Sequence, residues 1–142
     1  MTTRSSVARW LSVVAMAVFA GALLAVAMPI DEAPAPNGEK WLSIVDDQKY
    51  EESWNQASAM FRGKVKQEQW VAALKRSREP LGALVSRTTS RVELATSLRG
   101  APDGDYAIIH FNTGFANKSI VTERLTLVRE DGRWKMAAYA IY

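Results

Sequence analysis

Asp131 and Gly132 limit what this chain can become more than any other pair of residues. They lie between two runs rich in aliphatic, threonine and aromatic residues, 118 to 130 and 133 to 142. Asp-Gly is the pair that a two-residue type I′ hairpin requires, because both turn positions need positive φ. Such a turn sets Glu130 opposite Arg133. Counting outward then places Leu127 against Met136, Leu125 against Ala138, Glu123 against Ala140 and Val121 against Tyr142. A three-residue loop at Phe115, Ala116 and Asn117 adds a further strand, with Gly114 against Lys118 and Phe111 against Val121. The two turns agree on faces. Ile109, Phe111, Val121, Leu125, Leu127, Trp134 and Met136 share one, and Tyr106, Ile108, His110, Arg124, Tyr139 and Ile141 share the other. A slip of one residue would exchange them all.

The first half of the chain has a different period. Trp41, Leu42, Ile44 and Val45 predict a short helix. Tyr50, Trp54, Ala57 and Phe61 predict a second, and Trp70, Ala73 and Leu74 a third that ends at the Arg78-Glu79-Pro80 stop. Strand-like runs follow at 84 to 98, 105 to 114, 118 to 130 and 133 to 142. The expected fold is therefore α+β, with three helices packed on one face of a four-stranded antiparallel meander. With 142 residues and 48% hydrophobic content there is room for one such domain, expected over 39–142.

Residues 1–27 combine Arg4 and Arg9, no acid, an apolar run and an A-x-A site at Ala25 to Ala27, the pattern of a secretory signal peptide. An uncleaved anchor is the alternative, since the uncharged run from Trp10 to Met28 nearly reaches the ~20 residues that span a bilayer. Residues 28–38 then form a linker, and the expected location is periplasmic or secreted, with membrane attachment only if the segment is retained. The chain has no cysteine, so neither disulfides nor a lipid-bearing thiol enter. Without Arg4 and Arg9, 16 basic residues face 15 acidic ones, which argues against nucleic acid as a partner. The basic stretch from Arg62 to Arg78, with Lys64, Lys66, Lys75 and Arg76, leaves room for a weak anionic ligand.

Catalytic patterns are scarce. His110 is the only histidine, and no nucleophile elbow, phosphate-cradling glycine loop or H-E-x-x-H occurs, so neither a metal nor a cofactor is expected. Glu123 is the exception. The turn-derived register aims it into the inner face, where a buried carboxylate could serve as a base within a pocket lined by Trp41, Trp54, Trp70 and Trp134, or could pair with an arginine. The other signal is the ending: after Lys135 no residue carries a charged side chain. Arg87, Arg91 and Glu93 guard the first strand as an edge, whereas the last strand has no such guard. Tyr106, Ile108, His110, Arg124, Tyr139 and Ile141 are thus the expected contact surface for a second copy or a protein partner.

Several stretches carry a family resemblance: Tyr50 with Trp54, "EQW" at Glu68 to Trp70, "REPLG" at Arg78 to Gly82, "GAPDGDY" at Gly100 to Tyr106 and "DGRW" at Asp131 to Trp134. From about Glu39 to its end the chain resembles the domain of unknown function 4019, a family of short exported bacterial proteins. Gln48 stands where that family commonly has a helix-ending glycine, and Lys66 where a capping serine or threonine is common. The layout is also similar to the nuclear-transport-factor-2-like, or cystatin-like, α+β arrangement, whose members include pocket enzymes and non-catalytic dimeric modules. The resemblance implies an exported domain without an assigned activity. The expected function is a non-catalytic binding module that self-associates or docks a partner through the outer sheet face; the alternative is a pocket enzyme or small-molecule binder built on Glu123.

Overall fold

The computed structural model describes residues 33–142, so the signal segment lies outside the described residues. Helices α1 (Pro34–Asp46), α2 (Tyr50–Asn55), α3 (Ala59–Lys64) and α4 (Gln67–Arg78) precede strands β1 (Leu84–Ala95), β2 (Tyr106–Phe115), β3 (Lys118–Glu130) and β4 (Arg133–Ile141). The strands form one antiparallel sheet in the order β1-β2-β3-β4, and the helices pack on its inner face. Trp41, Leu42, Val45, Phe61, Trp70 and Leu74 meet Ile109, Phe111, Leu125, Leu127 and Met136 there. Each such side chain contributes about 1.5–3 kcal/mol on full burial, so this layer supplies most of the driving force for folding.

Four helices stand where three were expected, because the second predicted helix divides. Ser58 has extended backbone, and its hydroxyl accepts from Phe61 N–H at 3.1 Å, an N-cap that begins a new helix. Glu130 of β3 reinforces the break by accepting from Ala59 N–H at 3.0 Å. The first helix also starts earlier than expected, inside the expected linker, with Pro34 in its first turn where a missing N–H is harmless. Gly38 lets that helix sit close on the sheet, since a Cβ there would lie 3.0 Å from Leu125 Cδ2 and 3.1 Å from Ile109 Cδ1. At the start of α4, Gln69 accepts from Lys66 N–H, but Lys66 has no acceptor to return the bond, so only half a capping box forms.

The Asp131-Gly132 turn forms as expected, with φ of 51° and 74° and Glu130 paired to Arg133. The turn between β2 and β3 is tighter than expected. Phe115 pairs with Lys118, and a bulge near Gly114 brings Phe111 against Glu123 and Thr113 against Val121. The displacement is two residues, so both strands keep their faces.

A second bulge has the opposite consequence. Leu127 pairs with Met136, but Thr126 pairs with Ala138 and Leu125 with Tyr139, leaving Ala137 as the extra residue. Every side chain beyond it changes face: Tyr139 and Ile141 turn inward, and Ala138 and Ala140 turn outward. The expected outward placement of Tyr139 and Ile141 is therefore wrong. Arg87 is a related correction. It does not guard the edge of β1 but pairs with Thr113 on the inner face, its side chain only 8% exposed. Arg91 and Glu93 remain outside and pair with each other at 2.7 Å.

Gln48 closes α1 in left-handed backbone at φ 60°, the position a glycine fills without strain. Replacing Gln48 by Gly is expected to stabilise the fold by roughly 0.5–1 kcal/mol. Replacing Gly132 (φ 74°) by Ala is expected to destabilise it by a similar amount. Paired urea unfolding curves measure both, and equal midpoints for wild type and Gln48→Gly would contradict the assignment of strain to residue 48.

Candidate functional site

Glu123 is fully buried, and its surroundings come from both ends of the fold. Its Oε1 accepts from Arg87 Nε at 2.7 Å and from the Thr113 hydroxyl at 2.6 Å. Its Oε2 accepts a short hydrogen bond from the Tyr139 hydroxyl and lies 3.7 Å from Arg78 Nη1. Asp46, at the end of α1, completes the group: Arg87 binds it through both Nη atoms, at 2.6 and 2.9 Å, and Arg78 Nη2 donates to it at 2.5 Å. Two carboxylates and two guanidiniums thus neutralise one another in the core, tying α1 and α4 to β1, β3 and β4. Arg78 also lies over the Phe115 ring at 4.7 Å, which offsets the absence of a hydrogen-bond partner on its Nε.

Electrostatics follow from these contacts. Burial by itself raises the Asp46 carboxyl, but the hydrogen bonds and charges of Arg87 and Arg78 outweigh it and hold the group below its ordinary 3.8. Burial, followed by the neighbouring Glu123 charge, pushes the Tyr139 phenol well above its ordinary 10, so it stays protonated and donates. Burial opposes the Arg87 charge, yet its hydrogen bonds to Asp46 and Glu123 raise it overall. The site is a closed ionic network with every Glu123 oxygen engaged, a poor starting point for a proton-abstracting base.

The four tryptophans named with Glu123 do not form one pocket around it. Trp41 and Trp70 pack edge-on against Tyr139, with ring centroids at 5.8 and 6.4 Å, and form the wall behind the network. Their indole N–H groups are spent on Ser53, on its carbonyl and hydroxyl respectively. Trp54 lies apart, donating to Val65 O beneath Arg62, and Trp134 lies under Arg129 at the other end of the sheet. Asp46, Arg78, Arg87 and Thr113 were not expected at the site. No sequence pattern singled out Arg87, which shares its parity with Arg91 and Glu93 and is separated from their face only by the bulge between Thr89 and Arg91.

The outer face differs from the open apolar sheet that was expected. Tyr106, Ile108 and Val128 are buried, Tyr106 beneath the β1–β2 connection, where its hydroxyl donates to Pro102 O at 2.6 Å. His110 is half-buried and pairs with Arg91 and Arg124 in the neighbouring strands. What remains open is a trough of about 530 Å3. Its floor includes Ala138 and Ala140, which the bulge turned outward, and its walls bear Leu98, Arg99, Arg124, Met60 and Tyr142. Glu123 is absent from its lining. The basic stretch sends only Lys64 into this trough; Arg62 stacks on Trp54 and Arg78 is buried in the network.

Residues 37–139 match the family described as Protein of unknown function (DUF4019). The chain belongs to that family. No match was found among curated proteins. The span of this DUF4019 match takes in Asp46, Arg78, Arg87, Thr113, Glu123 and Tyr139, the whole of the network, and Ala138 of the trough floor, while Ala140 lies just beyond it. No helix among the described residues is long and apolar enough to cross a membrane.

Asp46 gives the network a pH signature. Its folded pKa lies below its unfolded one, so its contribution is complete above about pH 4 and is lost as pH falls through the depressed folded value. Asp46→Asn is expected to destabilise the protein at pH 7 by about 2–4 kcal/mol, because two buried guanidiniums lose a charged partner. It is also expected to flatten the pH dependence below pH 4. Thermal unfolding of both proteins between pH 2.5 and 7 checks this, and parallel curves would remove Asp46 from the account.

Proposed function

We propose that this chain is an exported binding module whose working surface is the outer-face trough, with Glu123 serving the fold and not a reaction. The observation that carries this reading is the division of labour across the sheet. Inside, each oxygen of the fully buried Glu123 carboxylate has its donors. Outside, a concave surface with an alanine floor and mixed apolar and cationic walls stands open at a size typical of ligand sites, about 300–1,000 Å3. An enzyme built on Glu123 would need the carboxylate to face a cavity, and the arginines and Tyr139 occupy that position. Export rests on the leader pattern of residues 1–27.

The test uses an anilinonaphthalene sulfonate dye, whose fluorescence rises in apolar clefts. The full chain is expected to enhance it, and Ala138→Trp, which fills the floor from an exposed position, is expected to reduce the enhancement several-fold. Leu94→Ser serves as control, since Leu94 is 71% exposed and lies outside the trough. Dye binding that follows Leu94 and ignores Ala138 would overturn the assignment of the surface. N-terminal sequencing of the exported protein is expected to begin at Met28; an intact Met1 would show the leader retained.

A further inference from the structure

We propose that the trough takes a long-chain carboxylate, an anionic amphiphile with a single alkyl chain; this rests on the trough being the working surface. The first argument is charge. Lys64 of α3, Arg99 of the β1–β2 connection and Arg124 of β3 come from three separate elements to line it, and all three are exposed. Among the described residues none of them has an ion pair, and the lining contains no aspartate or glutamate. Arg78, Arg87 and Arg91 are matched with acids, whereas Arg62, Arg76 and Arg133 also lack an ion pair among the described residues, so what sets Lys64, Arg99 and Arg124 apart is that they converge on one concavity. Three unmatched cations at the rim of one concavity focus a positive potential on it and suit a carboxylate head.

The second argument is what the trough does not offer. Tyr142 and Thr122 exchange both backbone hydrogen bonds, at 2.9 and 3.2 Å, and the register carries that alternation to Ala140 with Arg124 and Ala138 with Thr126. The backbone of Ala138 and Ala140 is therefore spent within the sheet, while the N–H and C=O of Tyr139 between them point to the open edge of β4. The Tyr106 hydroxyl is spent on Pro102. A peptide lying across the floor would find partners for its own N–H and C=O groups only along that edge, whereas an alkyl chain makes no such demand. Alanine methyls on the floor, with Leu98, Met60 and the Tyr142 ring beside them, suit that chain.

Isothermal titration of the full chain with sodium laurate below its micelle concentration tests this. Saturable one-to-one binding is expected, with affinity rising about fourfold per methylene from octanoate to laurate. Dodecanol and dodecyltrimethylammonium are expected to bind about tenfold more weakly or worse, and Arg124→Gln to weaken laurate by about tenfold. Ala140→Leu, with an unchanged circular dichroism spectrum, is expected to abolish binding. Equal affinity for laurate, dodecanol and the ammonium amphiphile would overturn the anion preference. Inorganic phosphate binding as tightly as laurate would overturn the chain. No laurate binding, while the dye still enters and Ala138→Trp still excludes it, would end the ligand class and leave the working surface standing.

Discussion

The fold depends on a neutral set of four buried charges. Asp46, Arg78, Arg87 and Glu123 come from α1, α4, β1 and β3, so no two neighbours in sequence supply the pairing, and the elements must all be in place before any charge is satisfied. Taking charges out of water is expensive, and a buried ion pair adds little net stability over a well-packed apolar substitute. What the network supplies is selectivity among arrangements. A helix layer rotated or displaced on the sheet would leave an unpaired guanidinium or carboxylate in the core, at several kcal/mol each. The aromatic layer of Trp41, Trp70 and Phe61 packs around this polar centre without imposing such a requirement, because apolar contacts tolerate repacking.

Tyr139 connects that network to the geometry of β4. Its hydroxyl donates to Glu123 and accepts from Arg78 at 3.1 Å, and it can do both only because Ala137 is extra in its strand. Without the bulge, Ala138 and Ala140 would face inward, leaving a void beside Glu123 with no donor to fill it. The uncharged ending of the chain follows from the same arrangement. Beyond Lys135, alternate residues either complete the inner layer or form the floor of the trough, and the edge of β4 is held in part by Ser58 N–H, which donates to Met136 O at 2.8 Å.

The meander and its Asp131-Gly132 turn were legible in the sequence because turn chemistry is local. Asp-Gly demands positive φ whatever surrounds it, and the faces of β2 and β3 survived a misjudged loop because the error was two residues, an even number. The face of Tyr139 was not legible by that method, because a bulge is one extra residue and counting from a turn cannot detect it. A different signal was present. Met136, Tyr139 and Ile141 are spaced by three and then two, with only alanines between them after Met136, so large residues alternate on one face only if one position is skipped. The split of the second helix at Ser58 was missed because apolar spacing continued across it. The inward Glu123 was legible, but its partners were not, since Asp46, Arg78 and Arg87 meet it only through tertiary packing.

The two faces of the sheet are therefore set by a single backbone irregularity. The bulge at Ala137 carries the one tyrosine that can satisfy Glu123 into the core and, by the same half-turn of the pleat, carries two alanines out. Small side chains on an outer face produce a depression, and the cations of α3, the β1–β2 connection and β3 line that depression with no aspartate or glutamate side chain among them. A residue larger than alanine at 138 or 140 would fill the trough without touching the network, whereas any change that removes the extra residue would destroy both. Stability and the shape of the trough can thus vary independently through side chains in this fold, while both remain tied to the same backbone register.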